Sequence, residues 1–104
     1  MKIEVLFFEG CPNFRPAVER LKSILRQEGV AGEIAEIKIE DEAAARKYQF
    51  PGSPTIRING LDIDVDARNG GAGAFACRRY EGGIPSEIMM RRALRESEER
   101  ANHE

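Results

Sequence analysis

Cys11 and Cys77 are the two cysteines of this 104-residue chain, and Cys11 lies in the stretch Gly10-Cys11-Pro12-Asn13-Phe14-Arg15-Pro16. An apolar run, Val5-Leu6-Phe7-Phe8, leads into that stretch, and an amphipathic pattern from Ala17 to Glu28 leads out. The thiol is therefore expected where a buried strand turns into a helix. The first turn of a helix carries unpaired N–H groups and the positive end of the dipole. A thiol placed there is pushed toward thiolate, the form that attacks disulfides and binds soft metals. Two cysteines with two residues between them at such a junction make a redox pair. Here Phe14 stands where the second cysteine would be. A dithiol cycle within the motif is excluded. That leaves a monothiol mechanism, a resolving cysteine from elsewhere, or no redox chemistry.

Cys77 lies in Phe75-Ala76-Cys77-Arg78-Arg79-Tyr80. A free cysteine is most often a small buried hydrophobe. As a functional group it would resolve a disulfide formed at Cys11, or share with it a thiophilic ion such as Hg(II), As(III) or Cu(I). Arg78 and Arg79 flank it, with charges suited to activating a thiol or holding an anionic substrate such as glutathione. The run Asp62-x-Asp64-x-Asp66 invites a calcium loop. However, Ala67 stands where the loop glycine belongs, and Gly73 where the distal glutamate belongs. Strand alternation explains the spacing, and no metal is expected there. The one histidine is His103, near the end of the chain. This argues against a zinc enzyme and against His-assisted nucleophilic catalysis.

These groups need elements to position them. Lys2 to Phe8 reads as a strand, apolar on both faces from Val5 onward and so covered on both sides. Pro12 suits a first helical position, and Pro16 should bend or delay the helix start. Ala17, Val18, Leu21, Ile24 and Leu25 fall at helical spacing, and Gly29 is a plausible stop. Glu33 to Glu40 alternates toward its end and predicts a second strand, half exposed at a sheet edge and parallel to the first. Asp41 is placed to cap a short helix through Lys47 or Tyr48.

After the break Phe50-Pro51-Gly52-Ser53-Pro54-Thr55 comes a hairpin. Thr55–Ile58 and Leu61–Val65 are joined by Asn59-Gly60, the strongest short hairpin signal. A two-residue turn sets Ile58 opposite Leu61, Arg57 opposite Asp62 and Ile56 opposite Ile63. The apolar residues then share one face, and Arg57 and Asp62 are expected to pair on the other. The register returns the chain to the Pro54 end of the sheet. The Gly- and Ala-rich segment from Asp66 to Gly83, which holds Cys77, starts there, with a short extra strand possible over 75–80. A last helix should begin at Pro85 or Ser86, with Ile88, Met89, Ala93 and Leu94 on its inner face. From about Ser97 apolar anchors run out, and residues 97–104 are expected to fray.

The chain length suits one domain, residues 1–104, with one core. A 41% hydrophobic content is that of a globular chain, and a net charge of −2 gives no hint of a nucleic-acid partner. No apolar run approaches a membrane span and no signal-like N-terminus is present, so a soluble cytoplasmic protein is the expectation.

The order β-α-β-α-β-β-α, with Cys11 after the first strand and Ser53-Pro54-Thr55 before the third, resembles the thioredoxin/glutaredoxin fold. Within that superfamily the chain is similar to small bacterial thioredoxin-like proteins with a G-C-P-N-C motif and a G-S-P-T-I-R-x-N-G segment. The latter is matched without a break by residues 52–60, and the resemblance covers roughly residues 2–95. It implies an α/β fold with a four-stranded mixed sheet in the order 2-1-3-4 and helices on both faces. It implies a cis Ser53–Pro54 bond beside Cys11, with the Ser53 backbone pairing an extended thiol substrate. Gly82-Gly83 is similar to the glutaredoxin segment that binds a glutathione carboxylate. On this resemblance Cys11 is the candidate catalytic thiol, joined by Cys77 because the hairpin register returns its segment to the same end of the sheet, and Pro12, Phe14, Ser53, Pro54, Gly82 and Gly83 are the candidate substrate-binding residues.

The expected function is thiol–disulfide exchange at Cys11, resolved by Cys77 or by glutathione as co-substrate, with no resident cofactor. The partners are a thiol or disulfide, protein or glutathione, with neither nucleic acid nor membrane. Two other readings stand beside it. One is a redox-inactive binding module that uses the same groove. The other is thiophilic-metal binding by Cys11 and Cys77.

Overall fold

The computed structural model of the chain describes residues 1–68, 78, 80 and 83–102. The elements in chain order are β1 (Ile3–Phe7), α1 (Phe14–Glu28), β2 (Ile34–Lys38), α2 (Glu42–Lys47), β3 (Thr55–Ile58), β4 (Leu61–Asp62) and α3 (Glu87–Asn102). A single 3-10 turn, Val65–Ala67, follows β4. The four strands form one mixed sheet in the order β2-β1-β3-β4. β1 and β2 are parallel, Ile3 opposite Ile34 and Phe7 opposite Lys38. β3 runs antiparallel to both β1 and β4.

The alternation of β1 divides the interior. Ile3 and Val5 face one side, with Ile56, Ile58 and Ile63, under Val18, Leu21 and Ile24 of α1 and Met90 and Leu94 of α3. Leu6 faces the other, in a smaller cluster with Ile39, Ala45 of α2 and Phe50. Helices therefore cover both faces, as expected of a first strand apolar on both sides. At its C-terminal end α1 is closed by Gly29, in the left-handed conformation at φ 65°, with the Val30 N–H donating to Leu25 O at 3.0 Å. Asp41 caps α2, its carboxylate accepting the Ala44 N–H at 2.7 Å.

Asn59 and Gly60 take φ 52° and 85°, as a two-residue hairpin turn of the primed type requires. The expected register holds: Arg57 opposite Asp62 and Ile58 opposite Leu61. The strand itself is shorter than the expected Leu61–Val65. The Asp62 carboxylate accepts the Asp64 N–H at 2.9 Å, and the Asp64 carboxylate accepts the Asp66 N–H at 3.1 Å. Each aspartate bonds the backbone two residues on and turns the chain away from the ladder. The Asp-x-Asp-x-Asp spacing thus builds successive turns, where strand alternation was the expectation.

The last helix differs on two points. Its inner face is Met90, Ala93 and Leu94, and Met89 packs at its margin, while Ile88 is 63% exposed. At about 100° per residue, Ile88 lies well off the Met90–Ala93–Leu94 stripe. The helix also runs on past Ser97 to Asn102. Ser97 is buried and its hydroxyl accepts from the Asn59 side-chain amide, while Glu96 forms a two-pronged pair with Arg68. Polar ties hold this turn where apolar anchors are lacking.

Candidate functional site

Cys11 sits in the turn between β1 and α1. Its N–H donates to Phe8 O at 3.3 Å, and its own carbonyl accepts the Phe14 N–H at 3.4 Å. α1 begins at Phe14, with Asn13 as its N-terminal flanking residue and Pro12 in the preceding turn. The expected placement of Pro12 at the first helical position is therefore corrected. A helix begun there would need the N–H that Pro16 lacks. Beginning at Phe14 puts Pro16 in the first turn, where an N–H has no intrahelical partner anyway. Cys11 is half-exposed and packs against the margin of the main core.

Phe14, at the position of the absent second thiol, is a core residue, 8% exposed. Its ring stacks on Phe7 with centroids 3.7 Å apart and planes 10° from parallel. The Arg15 guanidinium lies 4.8 Å from the Phe14 ring centroid and pairs with Glu36 of β2 at 3.3 Å. Phe14 therefore contributes a nearly closed apolar floor beside Cys11.

The Ser53–Pro54 peptide bond is cis. Ser53 and Pro54 are buried, and the Ser53 hydroxyl accepts the Phe8 N–H at 3.3 Å. Phe8 thus links the two halves of the site: its N–H bonds Ser53 and its carbonyl bonds the Cys11 N–H. The cis-proline turn and the cysteine turn are brought together at the end of β1.

Two further residues belong to this corner. The Arg78 N–H donates to Ser53 O at 2.8 Å, and the Tyr80 hydroxyl donates to Pro54 O at 2.8 Å. The Arg78 guanidinium is buried against Asp62 at 2.8 and 3.2 Å, reaches Asp64 at 3.2 Å and Thr55 Oγ1 at 3.2 Å, and lies 4.7 Å from the Tyr80 ring centroid. Burial works against the Arg78 charge, but the hydrogen bond to Asp62 and the surrounding anionic groups outweigh it and raise its proton affinity. Burial likewise drives the Tyr80 phenol well above its ordinary range, so it stays a donor.

These contacts revise two expectations. Asp62 pairs with Arg78 rather than with Arg57, which instead donates to Gln49 O at 3.0 Å. Arg78, bound to two carboxylates, has no charge left over for an anionic substrate. Tyr80 carried no signal in the sequence, since nothing local to it points to Pro54.

Gly83, a candidate substrate-binding residue, lies on the side of the corner that holds the cysteine turn. A Cβ built on it would lie 3.9 Å from Asn13 Oδ1. Cys77 and Gly82 lie outside the described residues, as does the expected strand over 75–80 apart from Arg78 and Tyr80. Two cavities, of about 290 and 450 Å³, flank Arg68 between β4 and α3 and touch none of the candidate residues among those described.

No family model, curated protein or solved structure matches the chain. Among the described residues no helix is long and apolar enough to cross a membrane.

Proposed function

We propose that the chain is a thioredoxin-like thiol–disulfide oxidoreductase of a reducing, cytoplasmic compartment that works through Cys11. The reading rests on one observation. A half-exposed cysteine at a strand–helix turn shares the Phe8 peptide group with a buried Ser53 that precedes a cis proline. In this reading the Cys11 thiolate attacks one sulfur of a disulfide R–S–S–R′. The S–S bond breaks, R′–S⁻ leaves and takes a proton from water, and Cys11 holds R–S as a mixed disulfide. A glutathione thiolate then attacks the R sulfur and frees Cys11. Alternatively, the Cys77 thiolate attacks the Cys11 sulfur, releases R–S⁻ and leaves a Cys11–Cys77 disulfide, which two glutathione molecules reduce. In either route the two electrons come from the reducing thiols.

Arg78, whose N–H is bonded to Ser53 O, is the next residue in sequence after Cys77. This favours Cys77 as the resolving thiol. Incubation with glutathione disulfide tests the reading. The protein should gain one glutathionyl group at Cys11, and Cys11→Ser should abolish the gain. In Cys77→Ser the mixed disulfide should accumulate, whereas the parent chain passes on to an intramolecular Cys11–Cys77 link detectable by mass mapping. A Cys11 inert to disulfides would leave a binding module on the same fold. Phe14 in place of a second cysteine favours that second reading, because it leaves Cys11 without a thiol partner in its own turn.

A further inference from the structure

We propose that the chain fills its own peptide-docking acceptors beside Cys11, so that the resting site takes small disulfides and turns away extended polypeptides. The inference rests on the oxidoreductase reading above and names its substrate class. A peptide substrate docks on an extended segment by adding its own backbone, and needs free backbone groups there to pair with. At the turn next to Cys11 two such acceptors are the carbonyls of Ser53 and Pro54. Both are already occupied, by the Arg78 N–H and the Tyr80 hydroxyl, each at 2.8 Å.

The occupation is strongly held. The Arg78 guanidinium is 9% exposed and its partner Asp62 is 6% exposed. It also bonds Asp64 and Thr55 and lies over the Tyr80 ring. An incoming strand that displaced Arg78 would leave the Asp62 carboxylate buried without its counter-charge, which is strongly unfavourable. On the far side, the Gly83 N–H donates to Tyr80 O at 2.9 Å, and a Cβ added to Gly83 would come within 3.9 Å of Asn13 Oδ1 in the cysteine turn. The chain thus reaches both walls of the corner. A small disulfide needs none of these backbone groups, only access to the half-exposed Cys11 sulfur.

Two probes that hand the same glutathionyl group to Cys11 test this. One is the mixed disulfide of glutathione and 2-mercaptoethanol; the other is an unstructured peptide carrying one glutathionylated cysteine at its centre. Each is turned over with glutathione as reductant: Cys11 takes the glutathionyl group, the peptide thiol or 2-mercaptoethanol leaves, and a free glutathione carries the group off as glutathione disulfide. The parent chain should favour the small probe by at least about tenfold in kcat/KM. Tyr80→Phe keeps the ring over which Arg78 lies and removes one neutral hydrogen bond. It should raise the peptide-to-small ratio about fivefold. Arg78→Met should raise it further; should that variant fail to fold, Tyr80→Phe carries the test alone. Equal rates on the two probes, or a ratio that Tyr80→Phe does not move, would overturn the proposal while leaving Cys11 a reactive thiol. A Cys11 that reacts with neither probe sinks the oxidoreductase reading, and this inference falls with it.

Discussion

Asp62 is the residue whose role changes most between sequence and structure. Hairpin register puts it opposite Arg57, yet its carboxylate turns to Arg78. The reason is burial. The Asp62–Arg78 pair is closed off from water, whereas Arg57 stays half-buried at the sheet surface. Removing one partner of a buried pair leaves an uncompensated charge. Asp62→Ala should therefore cost about 3–5 kcal/mol in urea denaturation. Arg57→Ala should cost no more than about 1 kcal/mol, since it loses one hydrogen bond at a partly exposed site. Equal losses would restore Arg57 as the partner of Asp62. Phe14, at the place of a second cysteine, is a packing residue. Its ring fills space against Phe7 under the cysteine turn, so Phe14→Ala should destabilise the fold by about 3–5 kcal/mol. A loss below about 1 kcal/mol would mean that the ring is a surface platform instead.

Among the elements, α3 shows how a stripe is chosen by the face it meets. Met90, Ala93 and Leu94 meet the sheet and α1, while Ile88 points outward. Met90→Ala should lower stability by about 2–5 kcal/mol, and Ile88→Ser should stay within about 0.5 kcal/mol of the parent in the same denaturation assay. The reverse ranking would place the inner face on the opposite side of the helix, on Ile88. Two polar ties fasten α3 to α1 at its start. Arg20 donates to Pro85 O at 3.0 Å, and Arg91 pairs with Glu28 at 3.1 Å. Ser86 caps the helix, its hydroxyl accepting the Met89 N–H at 3.1 Å.

Across the molecule, Arg68 after the 3-10 turn and Glu96 on α3 join parts of the chain far apart in sequence, at 2.6 and 3.0 Å. The hydrogen bond from Arg68 holds the Glu96 carboxyl below its ordinary range. A carboxyl whose folded pKa is lowered binds more protons when the chain unfolds. Its contribution is thus complete above the unfolded pKa, about 4.3, and is lost as pH falls through the lower folded value. The pair is partly open to solvent, so the contribution should be below about 1 kcal/mol and weaken with salt. The stability gap between the parent chain and Glu96→Gln, measured by thermal unfolding, should be open near pH 6 and close in acid below about pH 4. A gap that widened toward low pH would mean that the Arg68 pair does not hold Glu96 ionised.

The elements and their order were legible because their signals are local. Asn59-Gly60 dictates a hairpin through its own backbone preferences, Asp41 caps a helix three residues away, and β1 announces two covered faces by its own apolar run. The parallel pairing of β1 with β2 and the register of the β3–β4 hairpin then follow from crossover handedness and turn length, whereas the full strand order rested on the resemblance to a known fold. The partner of Asp62, the outward turn of Ile88 and the persistence of α3 past Ser97 were not legible. Each depends on groups that meet only once the sheet and helices are assembled. The tie of Ser97 spans 38 residues to Asn59, and the pair at Asp62 spans 16 to Arg78. Sequence periodicity reports which side of an element is apolar. It carries no record of which distant charge shares a buried corner, because desolvation sets that preference only after the corner exists.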